Sequence, residues 1–375
     1  MRVLVCSAIL LGLIPGLGHA WQDSFEGLAR RAEEVIDSNP AKAADLFRKA
    51  LALKADWAEG WLYLGASLYQ LDRFAEASDA FRKGIGLAPT NGTGWAFLGL
   101  CEAELDNSDQ AIADIRKGEQ LGLGDNWQFE VAARIKAAQT LIRAAAFDEA
   151  LAQMVPLSAH NENSAVVRET MGMCAMAIAK SASELPPERR AVVSLAGKAA
   201  WESASQRPAE AAAAYRELLQ RYPNEAGVHY AYGLYLMETD LAAALKEFRR
   251  EVQGNPDLWP ALIVIGSLEV RQGNPEEALQ SLRRAMKVVP ARYRWLCHAE
   301  LGRANMTADR LDAAIGEFET ARRLMPGSAQ VHFFLAQAYR RAGRKDDAQR
   351  EILEFEKLKA QQDPLGVPGL LQFRF

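Results

Sequence analysis

Cysteine, histidine and an excess of either charge are all scarce in this chain, and each scarcity closes off a class of function. There are four cysteines. Cys6 lies in the N-terminal apolar run, and Cys101, Cys174 and Cys297 are far apart in apolar helical contexts. Bridging needs Cα atoms within about 7 Å, so three widely spaced thiols are expected to be small buried side chains. Of the five histidines, His160, His229, His298 and His332 lie beyond the N-terminal run. No HExxH, CxxC or CxxCH is present, so metal and haem ligation have no motif. Lys and Arg number 44 against 48 Asp and Glu, a net charge of −4 with the signs interspersed. That excludes a basic footprint for nucleic acid and a polybasic membrane patch.

Catalytic signatures are missing as well. There is no GxSxG, Walker loop or dinucleotide-binding glycine fingerprint. Gly122-Leu123-Gly124 falls between two helical stretches and reads as a turn. The carboxylate pairs Glu276-Glu277 and Asp346-Asp347 sit where helices begin, at the positive end of the helix dipole. No nucleophile, base and orienting group occur together. The expectation is therefore no enzyme, no catalytic or metal residues and no cofactor.

Long apolar runs are confined to the start. Met1-Arg2 is followed by Val3 to Leu17, nearly all apolar, and Gly18-His19-Ala20 places small residues before a cleavage point. This is the layout of a secretory signal peptide over residues 1–20. The run is shorter than the roughly 20 residues a spanning helix needs. Cleavage after Ala20 would start the mature chain at Trp21, with an uncleaved anchor as the alternative. Cys6 precedes most of the apolar run, so a lipoprotein signal fits poorly. Ala261 to Leu268 is the most apolar later stretch and is followed at once by charge. The mature chain is expected to lack a transmembrane segment and to be periplasmic or secreted.

What the chain does contain is a repeat. In Ala58 to Asn91, Trp61, Leu64, Gly65 and Leu68 form one apolar helix face. Asp72 and Arg73 break it, Ala77, Phe81 and Gly84 mark a second helix, and Pro89 ends it. The skeleton returns as Trp95, Leu98, Gly99, Ala111, Ile115 and Gly118. It returns again as Leu262, Ile265, Gly266, Ala278, Leu282 and Pro290, then as Leu301, Gly302, Ala314, Phe318 and Pro326. A copy from Ala329 carries His332, Leu335, Ala336, Tyr339, Ala348 and Ile352. Weaker copies cover Ser24 to Trp57, Val131 to Asn163, Val192 to Asn224 and Ala226 to Leu258. Glycine after the first helix's apolar residues would let the second helix approach, and proline would turn the corner to the next copy. His229, His298 and His332 fall at the fourth position of their copies, a packing position.

These residues resemble the tetratricopeptide repeat, a 34-residue helix–turn–helix unit. The resemblance implies an all-α fold, an α-α superhelix of about nine to ten helix pairs with a concave groove. It also implies that particular first-helix positions face that groove. Here they are Leu62, Ala66, Tyr69 and Gln70; Ala96, Leu100 and Glu104; Ile263, Ser267 and Arg271; Arg303; and Phe333, Gln337, Arg340 and Arg341. Tyr69, Phe333, Gln337, Arg340 and Arg341 are the candidate partner-binding residues, because aromatic and Arg side chains dominate binding hot spots. The Lys and Asn of the chaperone-tail clamp are replaced by Leu62 and Ala66, Ala96 and Leu100, Ile263 and Ser267, and Phe333 and Gln337. The function implied is an exported scaffold for a protein or peptide partner, in envelope assembly, secretion or polysaccharide export. A carrier of a small molecule or glycan is the alternative.

The pairing falters once. Ala165 begins a first helix with Met171-Gly172, yet no second helix fits before Pro186-Pro187, which disfavour helix there. Residues 183–190 are read as a break between an N-terminal lobe (21–182) and a C-terminal lobe (191–360), or as an insertion in one array. The tail, 361–375, is broken by Pro364, Gly366, Pro368 and Gly369. Its Leu370, Leu371, Phe373 and Phe375 are expected to cap the last repeat.

Overall fold

The computed structural model describes residues 24–124 and 127–361. The segment read as a signal peptide, Trp21 and the tail beyond Gln361 lie outside the described residues. Among the described residues there are nineteen α-helices and no strand. Contacts divide the chain into two compact units at Lys136/Ala137.

The first unit contains α1 (Phe25–Val35), α2 (Pro40–Leu53), α3 (Ala58–Gln70), α4 (Phe74–Leu87), α5 (Gly92–Glu104), α6 (Ser108–Leu121) and the start of α7 (Trp127–Arg143). The second contains the rest of α7, then α8 (Phe147–Ala159), α9 (Ala165–Ala175), α10 (Pro187–Ala204), α11 (Pro208–Arg221), α12 (Val228–Leu236) and α13 (Leu241–Gly254). It continues through α14 (Trp259–Gln272), α15 (Pro275–Val288), α16 (Arg294–Thr307), α17 (Leu311–Leu324), α18 (Ala329–Arg341) and α19 (Lys345–Gln361). Within each unit, consecutive helices pack on one another as a stack. This is the all-α tetratricopeptide-type architecture the sequence implied.

Local chemistry sets the helix ends. Ser24, Asn39, Asn91 and Asp240 cap helices by accepting from backbone N–H groups at 3.1, 3.1, 2.7 and 2.9 Å, which satisfies donors the first turn leaves open. Pro40, Pro187, Pro208 and Pro275 open helices where no N–H is needed.

The turn inside most of the hairpins follows one rule. Asp72, Asp106, Ala145, Ala177, Gln206 and Asp309 adopt φ between 51° and 63°, and Gly273 and Gly343 occupy the same place. The next N–H reaches back five residues: Arg73 to Leu68 (3.0 Å), Asn107 to Glu102 (2.9 Å), Asn274 to Glu269 (2.9 Å), Arg310 to Asn305 (2.8 Å) and Arg344 to Tyr339 (2.9 Å). This is a helix stop built on one left-handed residue.

Glycine sets the closeness of each pair. A Cβ at Gly65 would lie 2.8 Å from the Phe81 ring, one at Gly302 2.6 Å from Phe318, and one at Gly266 2.5 Å from Leu282. Phe47, Phe81, Phe248 and Phe318 are buried between helices, each contributing about 1.5–3 kcal/mol of transfer free energy. Cys101, Cys174 and Cys297 are free and buried, as expected.

One expectation is corrected. Helix α9 does have a partner: α10 folds back along it. A Cβ at Gly197 would lie 1.6 Å from the Arg168 carbonyl oxygen, and one at Gly172 1.9 Å from that of Val193. The backbones therefore touch at two glycines. The connection, with a short 3-10 turn at Ala182–Glu184, is long enough to reverse the chain. Helix α10 also packs on α11, so one helix serves two pairs. Residues 183–190 lie within the second compact unit and contain the start of α10.

Candidate partner-binding groove

In the first unit, the expected groove residues of α3 remain accessible: Leu62 and Ala66 are half-buried and Gln70 is exposed. Tyr69 is half-buried and meets Phe74 and Phe97 edge-on, at 5.4 and 5.7 Å between ring centres. Its ring is therefore also part of the packing between α3, α4 and α5. On α5 the expectation is corrected, because Ala96 and Leu100 are buried. The chain's own α7 lies over this wall: Ala96, Leu123 and Ala133 form one apolar cluster. Lys136 sits 3.1 Å from Glu104, and Thr93 donates to the Leu123 carbonyl at 2.9 Å.

In the second unit the wall of α14 is closed as well. Ile263 and Ser267 are 0% exposed, which corrects their expected place on an open groove. Phe147 shares a buried cluster with Trp259, Leu262 and Ile263, and Ala145 and Ala177 pack against it. The α7–α8 turn thus lies on α14. A small cleft remains there, lined by Ala145, Phe147, Asp148, Glu149, Tyr230, Trp259, Pro260 and Tyr293. Arg271, at the end of α14, is exposed.

Arg303, on α16, is buried rather than facing solvent. It donates to both Glu300 oxygens at 2.9 and 2.8 Å and to the Ser267 hydroxyl at 3.2 Å. Its guanidinium lies 5.2 Å from the Phe334 ring centre. Burial pushes the Glu300 carboxyl up, and Arg303 opposes that shift. A buried Arg needs this set of acceptors, so its charge is spent inside the wall.

Helix α18 is open. Phe333 and Gln337 are half-buried and Arg340 is exposed. They fall at i, i+4 and i+7, one helix face. Phe333 rests on Phe355 and Phe334, with ring centres 5.4 and 5.7 Å away. Arg340 has no side-chain partner among the described residues. Arg341 is exposed but engaged, donating to the Met306 carbonyl at 2.9 Å and pairing with Asp309 at 2.7 Å. Tyr69 belongs to the first compact unit and the α18 residues to the second.

Residues 58–91, 195–258 and 305–363 match family models described as tetratricopeptide repeat. Those three stretches are similar to the tetratricopeptide repeat. No curated protein matches the sequence. Among solved structures, a crystal structure of MamA is 19% identical, with 44% of this chain and 95% of that one covered at a TM-score of 0.40. MamA from residue 41 onward, from Desulfovibrio magneticus RS-1, is 19% identical over 48% and 98%, with a TM-score of 0.42. The tetratricopeptide repeat is a protein-interaction unit. No helix among the described residues is long and apolar enough to cross a membrane.

The fourth position of the repeats also carries chemistry that the sequence only hinted at. Trp61 and Trp95 donate their ring N–H to the carbonyls of Ala55 and Pro89, at 2.8 and 3.0 Å. His229 and His332 repeat this with Nε2, donating to Pro223 and Pro326 at 2.9 and 3.0 Å. Their Nδ1 atoms lie 2.6 Å from Glu247 and Glu351 on the paired helix, and His298 meets Glu317 likewise. The histidines are therefore clasps within and between repeats. Asp114 holds the matching place on α6, opposite Trp95 instead of His. Gln110 donates to one of its oxygens at 2.9 Å, while the other is buried without a hydrogen bond. Burial pushes its carboxyl up, with Gln110 opposing and Glu102 adding.

Two further buried carboxylates join neighbouring repeats. Glu102 accepts from Ser78 at 2.9 Å and Asn107 at 2.8 Å, and pairs with Arg82. Glu269 accepts from Asn274 at 2.9 Å and pairs with Arg249. The same two repeat positions recur at Glu102 and Asn107 and at Glu269 and Asn274; that recurrence was the available signal.

Proposed function

We propose that this chain is an exported adaptor that holds a protein partner against the open face of α18, through Phe333, Gln337 and Arg340. The observation that supports this reading is the contrast between α18 and the walls of α5 and α14. The equivalent positions there are covered by the chain itself, whereas α18 presents on one face an aromatic ring, an amide and a guanidinium that has no side-chain partner among the described residues. The helices are already formed, so the receptor loses little conformational entropy on binding. Arg340 favours a carboxylate on the partner, and Phe333 an apolar side chain beside it. Export rests on the signal layout of residues 1–20. The adaptor would serve envelope assembly, secretion or polysaccharide export.

The test pairs Phe333→Ala with Arg340→Glu and recovers partners by affinity purification from the native envelope. Loss of the partner recovered by the unaltered protein, with helical circular dichroism unchanged, is the expected result. Full recovery by the double variant rejects the α18 site. Recovery of the protein solely from the cytoplasm rejects export.

A further inference from the structure

We propose that residues 362–375 fold back over α19 and cover its Ile352–Phe355 strip, standing in for the first helix of a further repeat. The inference does not rest on the α18 site.

In both compact units, the large residue in the middle of a second helix is covered by the first helix of the next repeat. Phe47 stacks with Tyr63 at 5.6 Å between ring centres, Phe81 with Phe97 at 5.3 Å and Phe318 with Phe334 at 6.0 Å. None of the three phenylalanines is more than 1% exposed. Ile352 holds their position in α19, the last helix described, and is only half-buried. Two neighbours of Ile352 also depart from the repeat. The place of Ala50, Ala285 and Ala321, each 0% exposed, is taken by Phe355, a half-buried ring. The place of Arg82, Arg283 and Glu319 is taken by Leu353, which is 57% exposed. Large apolar side chains have thus replaced a methyl at one place and a charge at the other. The end of a stack needs a polar outer face or a cover, and this strip is apolar.

The sequence supplies a cover of matching chemistry. Residues 362–375 follow α19 directly. Fully extended they would span about 45 Å, whereas Gln361 lies only about 14 Å along the helix from Ile352. Pro364, Gly366, Pro368 and Gly369 are turn residues that suit a reversal of the chain. Beyond them Leu371, Phe373 and Phe375 alternate with Gln372 and Arg374. An extended segment with that alternation turns its apolar side chains to the helix and its polar ones to water. Phe373 and Phe375 would then take the part that Tyr63, Phe97 and Phe334 play in the other repeats. Glu356 is exposed beside the strip and is opposite in charge to Arg374.

The test places a thiol on the strip of the full chain, as Leu353→Cys, with Leu87→Cys in a second protein as the uncovered reference. Leu87 ends α4 and is 48% exposed, and Cys101, Cys174 and Cys297 are buried. Alkylation by iodoacetamide is followed by peptide mass. The introduced thiol at 353 should react about tenfold more slowly, or slower still, than the one at 87. Adding Phe373→Ser and Phe375→Ser should bring the rate at 353 up to that at 87. Equal rates at the two positions with the tail unaltered would overturn the proposal. So would protection that survives the two serines, or protection that fades on dilution, which would make a second copy of the chain the cover. If the serine variant fails to fold, the rates with the unaltered tail and their response to dilution decide.

Discussion

The contact between α9 and α10 makes a quantitative demand. At Gly197, an added methyl would lie 1.6 Å from the Arg168 carbonyl oxygen and 2.9 Å from the Gly172 nitrogen. Both neighbours are backbone, so neither can rotate away. An ordinary contact requires the helices to separate by roughly 1.5 Å or more, which strips close packing from their neighbours. Val167, Met171, Val193 and Ala196, all fully buried, line that interface. Alanine returns about 1 kcal/mol of helix propensity, and the overpacking exceeds it. The expected net loss for Gly197→Ala is about 3 kcal/mol or more, at the upper end of overpacking costs.

Two other glycines calibrate the argument. At Gly266 the obstacle is the Leu282 side chain, 2.5 Å away, which can shift, so Gly266→Ala should cost about 0–2 kcal/mol net. At Gly316, inside α17, nothing lies within 4 Å, and Gly316→Ala should stabilise by up to about 1 kcal/mol. Thermal and urea unfolding by circular dichroism would rank the three. Gly197→Ala within about 1 kcal/mol of the unaltered protein would refute the close-approach reasoning; so would a destabilising Gly316→Ala.

Other expectations follow from the buried polar groups. The Asp114 carboxyl is pushed up in the folded state, so its favourable contribution is present below the unfolded carboxyl range and lost as pH rises through the folded value. Asp114→Asn should therefore stabilise by about 1 kcal/mol at pH 7 and leave stability unchanged in acid, as read by unfolding at both pH values. His332→Ala removes the contacts to Glu351 and Pro326 and leaves buried Glu351 with Arg322 as its charged partner. A loss of about 2–4 kcal/mol is expected, and wild-type unfolding would contradict the clasp. Burial pushes the Cys101 and Cys297 thiols up to about 12 and raises Cys174 further. None of the three should react with a disulfide reagent at pH 8 over minutes, whereas all three should react in denaturant.

The helix pairs were legible because their contacts are local in sequence. Gly65 meets Phe81, and Gly266 meets Leu282, at a fixed spacing that pattern alone exposes. The α9–α10 pair was hidden because Gly172, which keeps the repeat register, meets Gly197 across a connection longer than the repeat's own turn. The groove was legible only as a set of positions. Which of them stay open depends on non-local packing, such as α7 over Ala96 and the Phe147 corner over Ile263, and no spacing rule in one chain reveals that. Arg303 was read as a surface cation for the same reason. Its burial depends on Phe334 and Ser267, which come from other repeats. Arg340 and Arg341 are adjacent in sequence, yet Asp309 engages only the second.

The most direct measurement of partner binding is site-specific photocrosslinking in intact native cells, with a photoreactive amino acid placed at Gln337 in one strain and at Ser267 in another. A discrete crosslinked protein from position 337, and none from the buried position 267, is the result expected if α18 carries the interaction. A partner captured at 267 but not at 337 would contradict it.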